Sequence, residues 1–319
     1  MNDNSQPLDA QRPRRASMVI PIVMTAVFWA IAVLLWRLTG YVFYLVNFGY
    51  IGLSVGGGMT LYTLLPRRSK LWGRRIAQLL IGAYMLGFLG FFARENMQLE
   101  GFFHFLLAGF YAGAVIHYAV AKLFGPMFFG RGWCAWGCWT AMVLDLLPYK
   151  RNPAGRLPGR WGWLRYLHFG LSLGLVLVLW FGFRYEVRTN DLRSLYWLLV
   201  GNVLYYASSI VLAFVLKDNR AFCKYLCPIP TLQKVLSRFA LLKVAGDREK
   251  CTQCGACSKA CPMDVQVHEY VAQGRRVLST ECIFCFECQN ACAKGLLRTT
   301  FRLDGGMTEF IKTREPDAR

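Results

Sequence analysis

With 319 residues, 55% of them hydrophobic, and a positive mean hydropathy, the chain is too apolar for a soluble protein of its size, and the apolar residues fall in long blocks. The formal net charge of +19 invites a nucleic-acid reading, but the lysines and arginines sit mostly in short stretches flanking the apolar blocks. Membrane topology puts basic residues there, so no nucleic-acid partner is expected and a lipid membrane is.

Residues 1–17 form a polar arm with Arg12, Arg14 and Arg15 just before the first apolar run, 18–36. Basic residues ahead of an apolar run also describe a signal peptide. This run is too long for one, lacks a small-residue cleavage site and is followed at once by another span, so a retained anchor is expected. "PRRAS" is a weak twin-arginine-like match. Further spans are expected over 41–65, 76–93, 101–124, 166–183 and 195–216, each near the roughly 20 apolar residues a bilayer core requires, which makes about six transmembrane helices. Gly56, Gly57 and Gly58 inside the second span predict close approach of a neighbouring helix or a kink. Counted over the arm and alternate loops, basic residues divide fifteen to five. The bias predicts both termini, and the whole region after the last span, on the cytoplasmic side of a bacterial inner membrane.

From Lys217 the composition turns mixed and charged. The expected fold class is an all-α polytopic membrane domain (18–216), followed by a small α+β two-cluster ferredoxin-like module. A connector over 217–250, with its arginines and lysines at the lipid head groups as an interfacial helix, leads to the module at 251–300 and a tail at 301–319.

The chain has twelve cysteines and all fall in short-spaced groups. A disulfide framework would spread its cysteines between distant loops, so metal ligation is expected instead. "CTQCGACSKACP" (251–262) has the C-x2-C-x2-C-x3-C-P spacing of a cubane-binding run, and "CIFCFECQNAC" (282–292) repeats it with Ala293 in place of the proline. In two-cluster ferredoxins the fourth cysteine of each run ligates the other run's cluster. One [4Fe-4S] cluster is then expected on Cys251, Cys254, Cys257 and Cys292, and a second on Cys282, Cys285, Cys288 and Cys261. Paired zinc sites would leave the third and fourth cysteine of each run unexplained.

"GRGWCAWGC" (130–138) and "NRAFCKYLC" (219–227) are nearly one phrase twice, each with C-x3-C behind an arginine. Each comes after an inward-going span, so Cys134, Cys138, Cys223 and Cys227 are expected at one membrane surface. There they form a third iron-sulfur, zinc or copper(I) site, work as two redox dithiols, or pack as small apolar groups. Arg131 and Arg220 either favour cluster charge or anchor to head groups. His117 and His168, at comparable depth in antiparallel spans, could ligate a b-type haem or contact a quinone, although a lone membrane histidine more often bonds a neighbouring helix. His104 lies near the outer end, and His268 is expected at the surface. No nucleotide-binding or hydrolytic motif is present.

The spans, the two C-x3-C motifs and the cluster runs, above all "NRAFCKYLCPIPTLQKVLSR", resemble the NapH-like membrane ferredoxins, the membrane half of NosR-type proteins, MauN-type proteins and, more distantly, CcoG-type proteins. That family usually has proline after both C-x3-C motifs. Here Pro228 follows Cys227 but Trp139 follows Cys138, which puts the local turn of the first copy in question. The resemblance implies an electron carrier or quinol-oxidising subunit that passes electrons between the quinone pool and a partner redox protein, such as a system feeding a reductase or dehydrogenase of nitrate, nitrous oxide or methylamine metabolism. The alternatives are a maturation factor that reduces or handles a metal such as copper, and a membrane anchor for another iron-sulfur protein.

Overall fold

A computed structural model describes residues 18–111, 113–185, 191–306 and 308–314. The polar arm therefore lies outside the described residues. The chain falls into two compact units, 1–81 and 82–319.

In the first unit, α1 (Val19–Thr39) and α2 (Val42–Leu64) form an antiparallel hairpin that turns at Gly40, whose φ of 74° closes the α1 C-terminus by donating to Trp36 O. Close approach, not a kink, explains Gly56 and Gly58, while a Cβ on Gly57 would meet nothing within 4 Å. A Cβ on Gly56 would lie 1.8 Å from Thr25 Oγ1, and one on Gly58 would lie 2.5 Å from Ala77 Cβ, while α2 runs unbroken. The helix after it, α3 (Lys70–Phe92), widens into π-type turns from Tyr84.

Five helices among the described residues are long and apolar enough to cross a membrane: α1, α2, α3, α6 (Trp161–Gly182) and α7 (Leu192–Leu216). The chain is a multi-pass membrane protein. The run expected to span as one helix over 101–124 is instead two pieces, α4 (Leu99–Leu107) and α5 (Ala114–Phe129). Gly109 (φ 73°) and Gly113 (φ 50°) break it, and the carboxyl of Glu95 fills the space where a Cβ on Gly113 would stand. The broken segment nonetheless runs between the same two ends as α7. At one end Asn96 N–H donates to Ser194 Oγ (3.0 Å), and at the other Arg220 donates to Cys134 O (3.2 Å).

Between α5 and α6 lie two short helices, Trp133–Trp136 and Trp139–Leu144, and after α7 come Ala221–Tyr225 and Ile229–Ser237. Each pair brackets one C-x3-C motif, so the first copy keeps the helix–turn–helix form even with Trp139 where the second copy has Pro228. The stretch after α7 does not lie with its charges at head groups: Arg220 and Lys224 are among the most buried side chains of the protein. Among the described residues counted for orientation, Arg74, Lys122, Arg131, Arg156 and Arg165 are likewise buried, so the bias shrinks but keeps its sign.

Strand β1 (Leu242–Gly246) pairs antiparallel with β2 (Leu297–Phe301), Leu242 opposite Phe301, and the small α+β module hangs between them on three short helices, Ala256–Ala260, Val267–Ala272 and Glu287–Ala291. The tail straps the module to the rest of its unit. Arg156 N–H donates to Lys312 O and Arg314 N–H to Arg156 O, while Ile311 bridges Val265.

Candidate metal centres

The cysteine runs are shaped by turns that only small or strained residues permit. Gly255 (φ 70°) and Phe286 (φ 64°) hold equivalent left-handed positions before the helices that carry the third cysteine of each run, and Gln253 and Phe284 are left-handed two residues earlier. That curl turns successive cysteines toward one point. One cavity is lined by Cys251, Cys254, Cys257 and Cys292, and another by Cys261, Cys282, Cys285 and Cys288. Three sulfurs of one run and the last of the other line each, the crossed grouping expected from the spacing. Among the described residues no three His, Cys, Asp or Glu side chains are grouped closely enough to hold a single metal ion. Four thiols around a cavity instead match the ligand shell of a cubane cluster.

Burial pushes the Cys282 thiol up to about 11 and Cys261 to about 12, and holds Cys288 well above the usual thiol range. Thiolates are unfavourable in such surroundings unless iron supplies the opposing charge. His268, expected at the surface, lines the first cavity, with its Nδ1 2.8 Å from Ser258 Oγ.

Cys134, Cys138, Cys223 and Cys227 come together. Each of the other three lies within electrostatic reach of Cys227, and Cys134 and Cys138 lie within reach of Cys223, whose thiol burial raises to about 11. Cys134 Sγ sits 3.1 Å from Oε1 of the fully buried Gln233, whose Nε2 has no hydrogen-bond partner. Lys122, from a π-type widening of α5, faces Cys134, Cys138 and Cys227. The head-group role considered for Arg131 and Arg220 does not hold: both are buried, Arg131 on Glu281 (2.9 Å) and Arg220 on Asp145 (2.7 Å).

Two buried carboxylates fasten this site to the module. Glu281, next to Cys282, accepts ion pairs from Arg131, Arg156, Arg165 and Lys234. Burial opposes its charge, yet Arg156, Arg131, Arg165 and Lys234 hold it well below the usual carboxylate range. Asp264 pairs with Arg151, Arg156 and Lys224, and Lys224 lies between Cys223 and Cys227 in the chain. The two cysteine regions also touch through aromatics. Trp136 Nε1 donates to Phe284 O (3.0 Å), and its ring meets Phe286 edge-on at 5.6 Å.

His117 Nδ1 is 3.1 Å from Gly113 O, and His168 Nδ1 is 2.8 Å from Leu226 O, beside Cys227. Both rings are thus oriented by backbone carbonyls. Sequence reasoning misses Glu281, Asp264, Gln233, Trp136 and Lys122, since nothing in their spacing marks them. Arg131 and Arg220 are the one legible signal of the buried charge around the motifs.

Comparison with known proteins agrees with this geometry. A family model described as 4Fe-4S dicluster domain matches residues 243–293, and one described as 4Fe-4S binding domain matches 111–157 and 204–244, the two halves carrying the C-x3-C motifs. An uncharacterized protein of Methanocaldococcus jannaschii is 28% identical over 70% of this chain and 85% of its own length. The methylamine utilization ferredoxin-type protein MauN of Methylobacillus flagellatus is 29% identical over 47% of this chain and 54% of its own. The ferredoxin-type protein NapH of Escherichia coli is 25% identical over 61% and 69%. No solved structure matches. Spans, paired C-x3-C motifs and dicluster module taken together, the chain is a NapH/MauN-like ferredoxin-type protein, an iron-sulfur protein of electron transfer.

Proposed function

We propose that the protein relays electrons between the membrane quinone pool and a partner redox protein through three iron-sulfur centres in line. The first is held by Cys134, Cys138, Cys223 and Cys227, the second by Cys261, Cys282, Cys285 and Cys288, and the third by Cys251, Cys254, Cys257 and Cys292. Iron-sulfur clusters supply one-electron acceptance and donation. The protein's own residues support this order. Trp136 bridges the first site to the loop of the second, Cys288 lies within electrostatic reach of Cys257 in the third, and Cys254 is exposed, where a partner can dock. The contact that carries this reading is Trp136 to Phe284, one residue between C-x3-C cysteines and the other between cluster ligands.

For the first site, the match of both C-x3-C halves to a 4Fe-4S binding family favours a cluster over a single zinc or copper ion. Arg131, Arg220 and Lys122 supply positive charge against a thiolate-rich centre. The surviving excess of basic residues supports clusters and termini on the cytoplasmic face of a bacterial inner membrane. His117 and His168 each turn Nδ1 to a backbone carbonyl, a bond that fixes ring orientation as it does in a metal-ligating histidine.

The test is reduction of the full chain in lipid vesicles by a short-chain quinol, followed at the clusters by EPR. Cluster signals that rise on quinol addition and decay on adding an external acceptor support the relay. Clusters that dithionite reduces but no quinol does would remove the quinone pool from it.

A further inference from the structure

The two strands give the dicluster module a near and a far end. At the near end Leu242 pairs with Phe301, and the adjacent Leu241 N–H donates to Met127 O (2.8 Å) in the last turn of α5. At the far end Gly246 pairs with Leu297, which lines the cavity of Cys251, Cys254, Cys257 and Cys292. Five residues of strand set these ends about 13 Å apart. The exposed apolar side chains of this region, Val235, Phe239, Phe301 and Leu303, belong to the near end. Among the described residues no large apolar side chain is exposed between 246 and 298.

The far end is instead basic. Arg248, Lys250, Lys259, Arg275, Lys294 and Arg298 are exposed there against the exposed Glu249, and the half-buried acids Asp247, Glu269 and Glu287 leave the charge positive. Lys294 lines the cavity itself and turns its Nζ to Lys250 O (3.5 Å), Arg298 follows Leu297, and Lys259 lies two residues after Cys257. Lys250 keeps 72% of its side chain exposed even with Asp247 beside it (3.4 Å). Inside this rim the uncharged Thr252, Gln253 and Cys254 stand exposed. Cys254 is also the one cysteine among the twelve that is open to solvent.

We propose that this face docks an acidic one-electron carrier protein, a reading that rests on the relay proposed above and gives its partner a surface chemistry. Carboxylates of the carrier meet Lys250, Lys259 and Lys294 while its redox group comes up to Cys254. One electron leaves the reduced third cluster, which is oxidised, and enters the carrier, which is reduced; no bond forms and no proton moves. Complementary charge speeds the encounter without requiring a tight complex. An anionic lipid surface attracts the same cations, but a protein face that settles on a bilayer buries apolar side chains as well. Those side chains lie at the other end of the strands.

The experiment uses the full chain in vesicles of neutral lipid, with its clusters reduced by dithionite and the excess removed. Stopped-flow mixing with two oxidised probes, the acidic carrier rubredoxin and the basic carrier cytochrome c, reads the electron leaving. The rubredoxin rate is expected to fall about tenfold between about 20 and about 300 mM salt, while the cytochrome c rate does not fall. Lys250→Glu/Lys259→Glu is expected to slow rubredoxin about tenfold and to speed cytochrome c, with iron content and cluster EPR signals unchanged. A rubredoxin rate indifferent to salt and to both substitutions, or a cytochrome c rate that falls with salt in the same way, overturns the acidic partner and leaves the relay standing. A rubredoxin rate that drops only when phosphatidylglycerol is added to the vesicles puts the face on lipid and overturns it too. Reduced protein that passes electrons to neither probe overturns the relay's exit through the third cluster and this surface with it.

Discussion

The indole N–H of Trp136 donates to the backbone carbonyl of Phe284 at 3.0 Å, with Trp136 between Cys134 and Cys138 and Phe284 between Cys282 and Cys285. This hydrogen bond, beside the Arg131–Glu281 pair, joins the repeated membrane motif to a cluster-binding loop. Trp136→Leu keeps an apolar filler but removes the donor and the ring. Electron transfer between the two centres is expected to slow by about tenfold or more with full cluster content. Stopped-flow reduction with quinol, read at each EPR signal, checks this. Unchanged kinetics would place the path elsewhere.

Glu281 gathers four cationic side chains in the interior. Removing one member of a buried charge network costs about 3–5 kcal/mol because its partners stay buried and unpaired. Glu281→Gln is therefore expected to lower thermal stability sharply and to loosen the module from the membrane part. Limited proteolysis between 217 and 250 should rise in the variant, and equal protection would show that the network is dispensable.

Gln233 is fully buried, places its amide against Cys134, and has an Nε2 without a partner. Amide orientation is assigned from the surrounding bonds, and the opposite rotamer donates N–H to the sulfur. Once Cys134 is a thiolate ligand, that is the favoured form. Gln233→Leu removes the donor, so the potential of the first centre is expected to fall by tens of mV, roughly the worth of one hydrogen bond. Redox titration should show the other two centres unmoved.

Glu95 lies in the connection before the broken span, and burial raises its carboxyl from 4.5 to about 7, while the backbone N–H of Ala114 partly offsets this. The folded state therefore prefers it protonated. Stability from this group is full below about pH 4.5, declines as pH rises toward 7 and is flat above, a change of about 3 kcal/mol at most. Glu95→Gln keeps the acceptor for Ala114 and carries no such dependence. Its melting temperature is expected to exceed wild type at pH 8, with the gain vanishing near pH 5.

The cluster runs were legible because cubane ligation fixes a short spacing that few other constraints produce, and both cavities are lined as that spacing predicts. The spans that became α1, α2, α3, α6 and α7 were legible from length and composition alone. The break at Gly109 and Gly113 was not, since glycine is common within membrane helices and only the carboxyl of Glu95 against Gly113 gives it a reason. Arg131 and Arg220 read either as charge for a cluster or as head-group anchors, and Lys224 as part of a surface connector, because a sequence shows that a residue is charged and not what opposes it. Their partners Glu281, Asp145 and Asp264 lie tens to more than a hundred residues away in the chain. Convergence of the four C-x3-C cysteines was an open question for the same reason, because it depends on how α5 and α7 end together.

Whether those four hold a cluster decides the account, and iron and acid-labile sulfide content of the purified full chain measures it most directly. With EPR and Mössbauer spectra alongside, about twelve irons per chain are expected for the wild type, falling to about eight in Cys134→Ser/Cys223→Ser with both ferredoxin-type signals retained. About eight irons in the wild type, unchanged in that double variant, would contradict a third centre, and copper bound in its place would point to metal handling.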